Sequence, residues 1–204
     1  MSKTAVRKFA AAFAIAAASV VGAAGSASAM GPGMPGTNNI LPGGNIVQIA
    51  QAANRALGEF DYLLAAVGCL TDPSTGANPI VQALTGDERL TLFAPTDEAF
   101  ENLQRALGAA TPSPQLTCSL GAAVVADVLT YHVTEGRRFA NSVFNANRPK
   151  NVAMLNGEFI RANPDLTLTD IAGQSVGVVG PLSNIDAANG VIHVIDKVLL
   201  PFKP

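Results

Sequence analysis

Apolar residues recur at helical spacing through the first half of the chain and break into short runs in the second. Ile46, Ile49, Ala50, Ala53 and Leu57 fall on one face of a helix that Asn45 can cap. Asp61 can open a second helix through Leu64 and Val67, ending near Gly68. Pro79–Leu84 is a short third candidate. Leu90–Ala94 reads as a compact apolar strand that Pro95 stops. Thr96 then caps a helix carrying Asp97 and Glu98 in its first turn, where negative charge is favourable. Phe100, Leu103 and Leu107 share one face of it, and Gly108–Pro114 breaks it. Leu120, Val124, Val128 and Tyr131 predict another buried helical face.

From Val133 the period shortens. Val152–Leu155, Glu158–Ile160, Leu166–Leu168, Val176–Val179 and Val191–Leu200 are apolar runs divided by turns. Asn156-Gly157 is a strong hairpin signal. Helices crowding one half and strands the other predict an α+β domain with strands packed against helices. There is no internal repeat, so a single domain is expected rather than a tandem array.

The N-terminus changes the setting. Lys3, Arg7 and Lys8 precede an uncharged, Ala-rich stretch, Phe9–Gly25, and the small residues Ala27-Ser28-Ala29 follow. That order reads as a secretory signal peptide over 1–29. The rival, a membrane anchor, requires a longer and more apolar run. Residues 30–44 are rich in Gly, Pro and Asn and read as a flexible linker, leaving 45–204 as the domain. Cleavage would remove three of the 13 basic residues and none of the 15 acidic ones, for a formal charge of −5. An acidic chain of about 175 residues suits one exported domain and argues against nucleic-acid binding. Cys69 and Cys118 are the two cysteines. In an exporting compartment they are expected to pair, the alternative being two separate buried thiols.

Three blocks carry a family resemblance. Leu90–Phe100 reads LTLFAPTDEAF, Tyr131-His132 sits in LTYHV, and Asn189–Pro201 reads NGVIHVIDKVLLP. In this order and at these spacings they resemble the signature blocks and central Tyr-His pair of the fasciclin-like domain family. The match runs from about Asn45 to Pro201, with part of Leu70–Arg89 looking like an insertion. The resemblance implies a β-sandwich or wedge of about seven strands with packed helices. It also implies a role in adhesion and in matrix or surface interaction and brings no metal ligand, and with no enzymatic motif in the chain a non-catalytic module without a cofactor is expected. In animal members the region of the Tyr-His pair is associated with integrin-mediated adhesion. The Ala- and Gly-rich leader looks bacterial, which argues against such a partner here.

Tyr131 and His132 are therefore adhesion-motif candidates, weighed against core packing with His132 hydrogen-bonded to Asp97. Arg137, Arg138, Arg148 and Lys150 form a basic segment between Glu135 and Glu158 that contains no acid. It is a candidate contact for anionic polysaccharide or lipid headgroups, or else a solvated loop. The expected partner is a cell-surface or matrix polysaccharide or protein, met by a secreted or periplasmic monomer with no transmembrane segment. The alternative is a soluble carrier or sensor holding a small apolar molecule or glycan between helices and sheet. Enzymatic motifs are absent. There is no nucleophile elbow, no H-E-x-x-H and no Walker loop, and two histidines without clustered acids make no metal site. The G-x-G-x-x-G at Gly31, Gly33 and Gly36 follows no strand and is interrupted by prolines.

Overall fold

Asn45 starts the first helix of the computed structural model, which describes residues 43–71 and 78–203. The expected leader, nearly all of the linker, and 72–77 of the expected insertion lie outside the described residues. Helix α1 is Ile46–Leu57, α2 Asp61–Cys69 and α3 Pro79–Thr85. In α1 the Asn45 side chain accepts from the Gln48 amide while Gln48 accepts from the Asn45 amide, and Gly58 closes the helix in the left-handed region. Strand β1, Leu90–Pro95, leads into α4, Asp97–Ala106, where the Thr96 hydroxyl caps the Ala99 amide at 3.2 Å. Then come α5, Pro114–Cys118, and α6, Ala122–Thr130.

The remaining elements are β2 (Val133–Glu135), α7 (Ala140–Val143), β3 (Lys150–Ala153), β4 (Phe159–Ala162), β5 (Thr167–Thr169), β6 (Ser175–Gly177), β7 (Ile185–Ala187) and β8 (Gly190–Ile195). The fold is α+β. Among the described residues its strands number eight, in keeping with the expected seven or so, in two four-stranded sheets ordered β2-β1-β8-β7 and β3-β4-β5-β6. The Asn-Gly turn joins β3 to β4 as expected, with Gly157 at φ 90°. The Val191–Leu200 run is a strand only to Ile195. Asp196 and Lys197 end it, and Val198–Leu200 continues as a buried strap.

Strands β1 and β8 are parallel, in register from Leu90 opposite Gly190 to Pro95 opposite Ile195. Both are buried along their whole length because each face serves a different core. Leu92, Ala94, Ile192 and Val194 meet the helices. Phe93 and Ile195 meet the second sheet together with Tyr131, Ile160, Leu168 and Leu199.

The start of the last signature block has a steric and a polar reason. A Cβ on Gly190 would collide with the Leu90 carbonyl oxygen and lie 2.7 Å from Ile46 Cδ1. Buried Asn189 accepts from the Ile46 amide at 2.9 Å and donates to the Leu84 and Gly86 carbonyls at 2.8 and 3.0 Å. One side chain thus ties α1 and the end of α3 to the start of β8. Among the described residues, no helix is long and apolar enough to cross a membrane.

Candidate functional site

Tyr131 and His132 lie at the C-terminal end of α6, where the chain turns into β2, and their exposures are 0% and 1%. The Tyr131 hydroxyl donates to the Phe159 carbonyl at 3.0 Å and accepts from the Ile171 amide at 3.2 Å. Desolvation pushes its ionisation up to about 12. His132 does not meet Asp97. Its Nε2 accepts from the Leu199 amide at 2.9 Å, which leaves Nδ1 as the protonated nitrogen, donating to the Val128 carbonyl at 2.6 Å. Burial pushes its pKa down to about 4. Asp97 is occupied elsewhere, accepting from the Tyr62 amide at 3.1 Å and the Asp61 amide at 3.3 Å at the start of α2.

His193, buried in β8, repeats the arrangement with the opposite tautomer. Nε2 donates to the Arg138 carbonyl at 2.8 Å, and Nδ1 accepts from the Asn184 amide at 3.2 Å. Burial lowers its pKa as well. Both histidines are neutral braces between backbone segments.

The residues of the basic segment are engaged to different degrees. Arg137 pairs with Asp186 of β7 and lies 5.5 Å over the Phe139 ring. Arg138 is held at three points: its amide donates to Thr91 Oγ1, its Nε to the Glu135 carbonyl, and its own carbonyl receives His193. Arg148 and Lys150 are exposed, with Lys150 Nζ donating to the Ser142 carbonyl at 2.8 Å.

None of these residues lines the broad concave feature of the described domain. A groove of about 1090 Å³ runs between α4, α6, the segment 177–180 and the C-terminal strap. Its walls include Leu103, Leu107, Leu120, Val124, Val178 and Phe202. Four of the eight large apolar side chains exposed among the described residues line it: Leu107 at 57%, Leu120 at 42%, Phe202 at 42% and Val124 at 39%. Such a gathering marks a contact site more than scattered exposed leucines would. It also corrects the expected faces. Of the face expected for α6, Tyr131 is buried and Val128 packs against the core together with Val125 and Leu129, whereas Leu120 and Val124 open to the groove. Leu107, expected to pack beside Phe100, opens to it too.

Two side chains hold the strap that forms one wall. His132 receives the Leu199 amide, and Asp170 receives the Leu200 amide at 3.0 Å while also accepting from the Gln174 amide and side chain at 2.8 Å each. Asp170 had no sequence signal beyond a short polar residue after a strand. The opposite wall is stapled. Cys69 of α2 and Cys118 of α5 form a disulfide with Cα atoms 5.4 Å apart, and neighbouring Thr117 lines the groove.

Known proteins resemble this chain along most of the described domain. The fasciclin domain family model matches residues 75–201. Protein sll1483 of Synechocystis sp. is 35% identical over 125 residues, covering 61% of this chain and 62% of that protein. Uncharacterized protein sll1735 of the same organism is 34% identical over 156 residues, covering 76% of this chain and 97% of that one. Human periostin is 33% identical over 127 residues, covering 60% of this chain and 13% of its own length. This chain thus spans less than two thirds of sll1483 and a small part of periostin. Among solved structures, a FAS1 domain pair from the insect cell adhesion molecule fasciclin I aligns with a TM-score of 0.44 at 16% identity, covering 68% of this chain and 45% of that one. On the family match, which takes in both signature blocks, the chain belongs to the fasciclin domain family.

Proposed function

We propose that this chain is an exported, non-catalytic interaction module of the adhesion and matrix-contact type, and that it grips its target by burying apolar surface in the groove between α4, α6 and the C-terminal strap. The gathering of Leu107, Leu120, Val124 and Phe202 on one groove carries this reading. Export is supported by the leader-like N-terminus and by the Cys69–Cys118 bridge, which suits a periplasmic or extracellular compartment. A non-catalytic role is supported by the histidines. Each has both ring nitrogens engaged with backbone, so neither is available to carry a proton. Tyr131 and His132 are assigned to the core of the domain. Arg148 and Lys150 are left as a secondary contact for anionic polysaccharide or headgroups.

The carrier reading has its own support in the groove's volume of about 1090 Å³, which lies just above the roughly 300–1,000 Å³ of small-molecule sites. Both readings place the contact in the groove, and one experiment tests that. Binding of purified Leu120→Asp and Arg148→Ser/Lys150→Ser variants to intact cells and envelope fractions is compared with that of the parent. The groove variant is expected to lose at least tenfold in affinity and the basic variant to stay within twofold. The reverse ranking would move the contact to the basic loop.

A further inference from the structure

We infer that the groove takes an uncharged, hydrocarbon-rich chain molecule, of the long-chain ester or isoprenoid alcohol class, rather than a sugar or an anionic amphiphile. This rests on the groove being the contact site. It follows from how the polar groups of the wall are spent.

Buried Thr96 caps α4. Gln104, also buried, accepts from the Ser113 amide at 2.8 Å and donates to the Ser113 carbonyl at 2.9 Å and to Thr117 Oγ1 at 3.3 Å. Its amide group is fully used by the chain. Phe100 stacks on Tyr62 at 5.8 Å, so one ring face is already covered. Among the described residues, the one buried side-chain nitrogen or oxygen without a partner is Arg137 Nε, which lies outside the groove. A sugar entering such a groove would shed water from its hydroxyls and find few unspent partners, a cost that hydrocarbon does not incur.

The charges at the rim select further. Glu98 at the start of α4 and Asp196 at the start of the strap are both groove residues. Asp196 accepts from the Gly177 amide at 2.7 Å. The one basic residue of the lining, Lys197, donates to the Ser175 carbonyl at 2.7 Å. Two carboxylates against one engaged ammonium make the mouth unfavourable for a carboxylate or phosphate head. The chain fits the walls, and the rim rejects an anionic end.

A chain-matched pair of fluorescent probes separates these effects. Parinaric acid and its methyl ester share one hydrocarbon chain and differ in charge at pH 8. The ester is expected to bind the purified protein at least tenfold more tightly than the anion. Val124→Asp, or Leu107→Asp should the first variant fail to fold, is expected to abolish ester binding, while Phe159→Ser, at an exposed apolar position outside the groove, leaves it unchanged. Glu98→Lys is expected to narrow the gap between ester and anion. Equal or tighter binding of the anion, an unchanged gap in Glu98→Lys, or displacement of the ester by maltohexaose would overturn the ligand class and leave the groove as the contact site. Binding of neither probe would overturn the ligand class, while the groove as contact site stands or falls separately with the Leu120→Asp comparison.

Discussion

His132 spends both ring nitrogens on backbone groups four and 67 residues away in sequence. This works with a neutral imidazole, because a proton on Nε2 would face the Leu199 amide. The group facing the ring with opposite charge is Asp170, which partly offsets burial without reversing it. The sign follows directly. With a folded pKa of about 4 against 6.5 for the free side chain, the unfolded chain takes up the proton first as pH falls. Stability is therefore expected to fall between pH 6.5 and 4, by on the order of 3 kcal/mol from this residue. His193 contributes in the same direction. Urea denaturation across that range checks it. His132→Gln, which keeps an acceptor near Leu199 and cannot titrate, is expected to flatten the slope. An equal slope in the variant would assign the effect elsewhere. The sequence supplied the residue and its placement after an apolar helix face. It could not supply the partners, since Val128, Leu199 and Phe159 act through main-chain atoms whose positions are set by the assembled fold.

At the scale of elements, α1, α4 and the β3–β4 hairpin were legible because each announces itself locally, through Asn45, Thr96 and Asn156-Gly157. Helix α6 was legible as a helix but only partly in its faces. Its sequence, AAVVADVLT, is apolar nearly all round, so periodicity did not single out one stripe. Tyr131 and Val128 of the expected face pack inward, Val124 is exposed in the groove, and Val125 and Leu129 are buried beneath it. Helix α5 has five residues and depends on its surroundings, chiefly the Cys69–Cys118 bridge and the Gln104 contacts. The bridge closes a loop of 49 residues, for which chain entropy gives about 4 kcal/mol. Reduction is expected to lower the melting temperature by several degrees and to weaken groove binding, since α5 supplies part of the wall. A melting curve with and without reductant, run beside the ester titration, tests both effects. Loss of stability with unchanged binding would separate the staple from the groove.

Over the whole molecule, the two signature blocks were readable as a pair, and the structure explains why they travel together: they are neighbouring strands. Asn189 and Gly190 fix that contact. Asn189→Ala removes three hydrogen bonds and leaves the Ile46 amide and the Leu84 and Gly86 carbonyls short of a partner, so a loss of about 2–4 kcal/mol is expected. Gly190→Ala is expected to cost more, because the added methyl meets backbone rather than a movable side chain. Chemical denaturation of both variants measures this, and near-parent stability in Gly190→Ala would contradict the packing described. The groove was not legible at this scale because the strap is distant in sequence from α4 and α6 and none of the three is unusual alone. The parallel ladder also bears on folding order. Its strands lie about a hundred residues apart, and β8 is the last strand among the described residues. Bringing β1 and β8 together requires closing the longest loop in the sheet, so the central pairing is slow to form and late in order. A chain emerging N-terminus first therefore carries β1 with its β8-facing edge unpaired until nearly all of the domain is out, and the sheet closes across its middle only then.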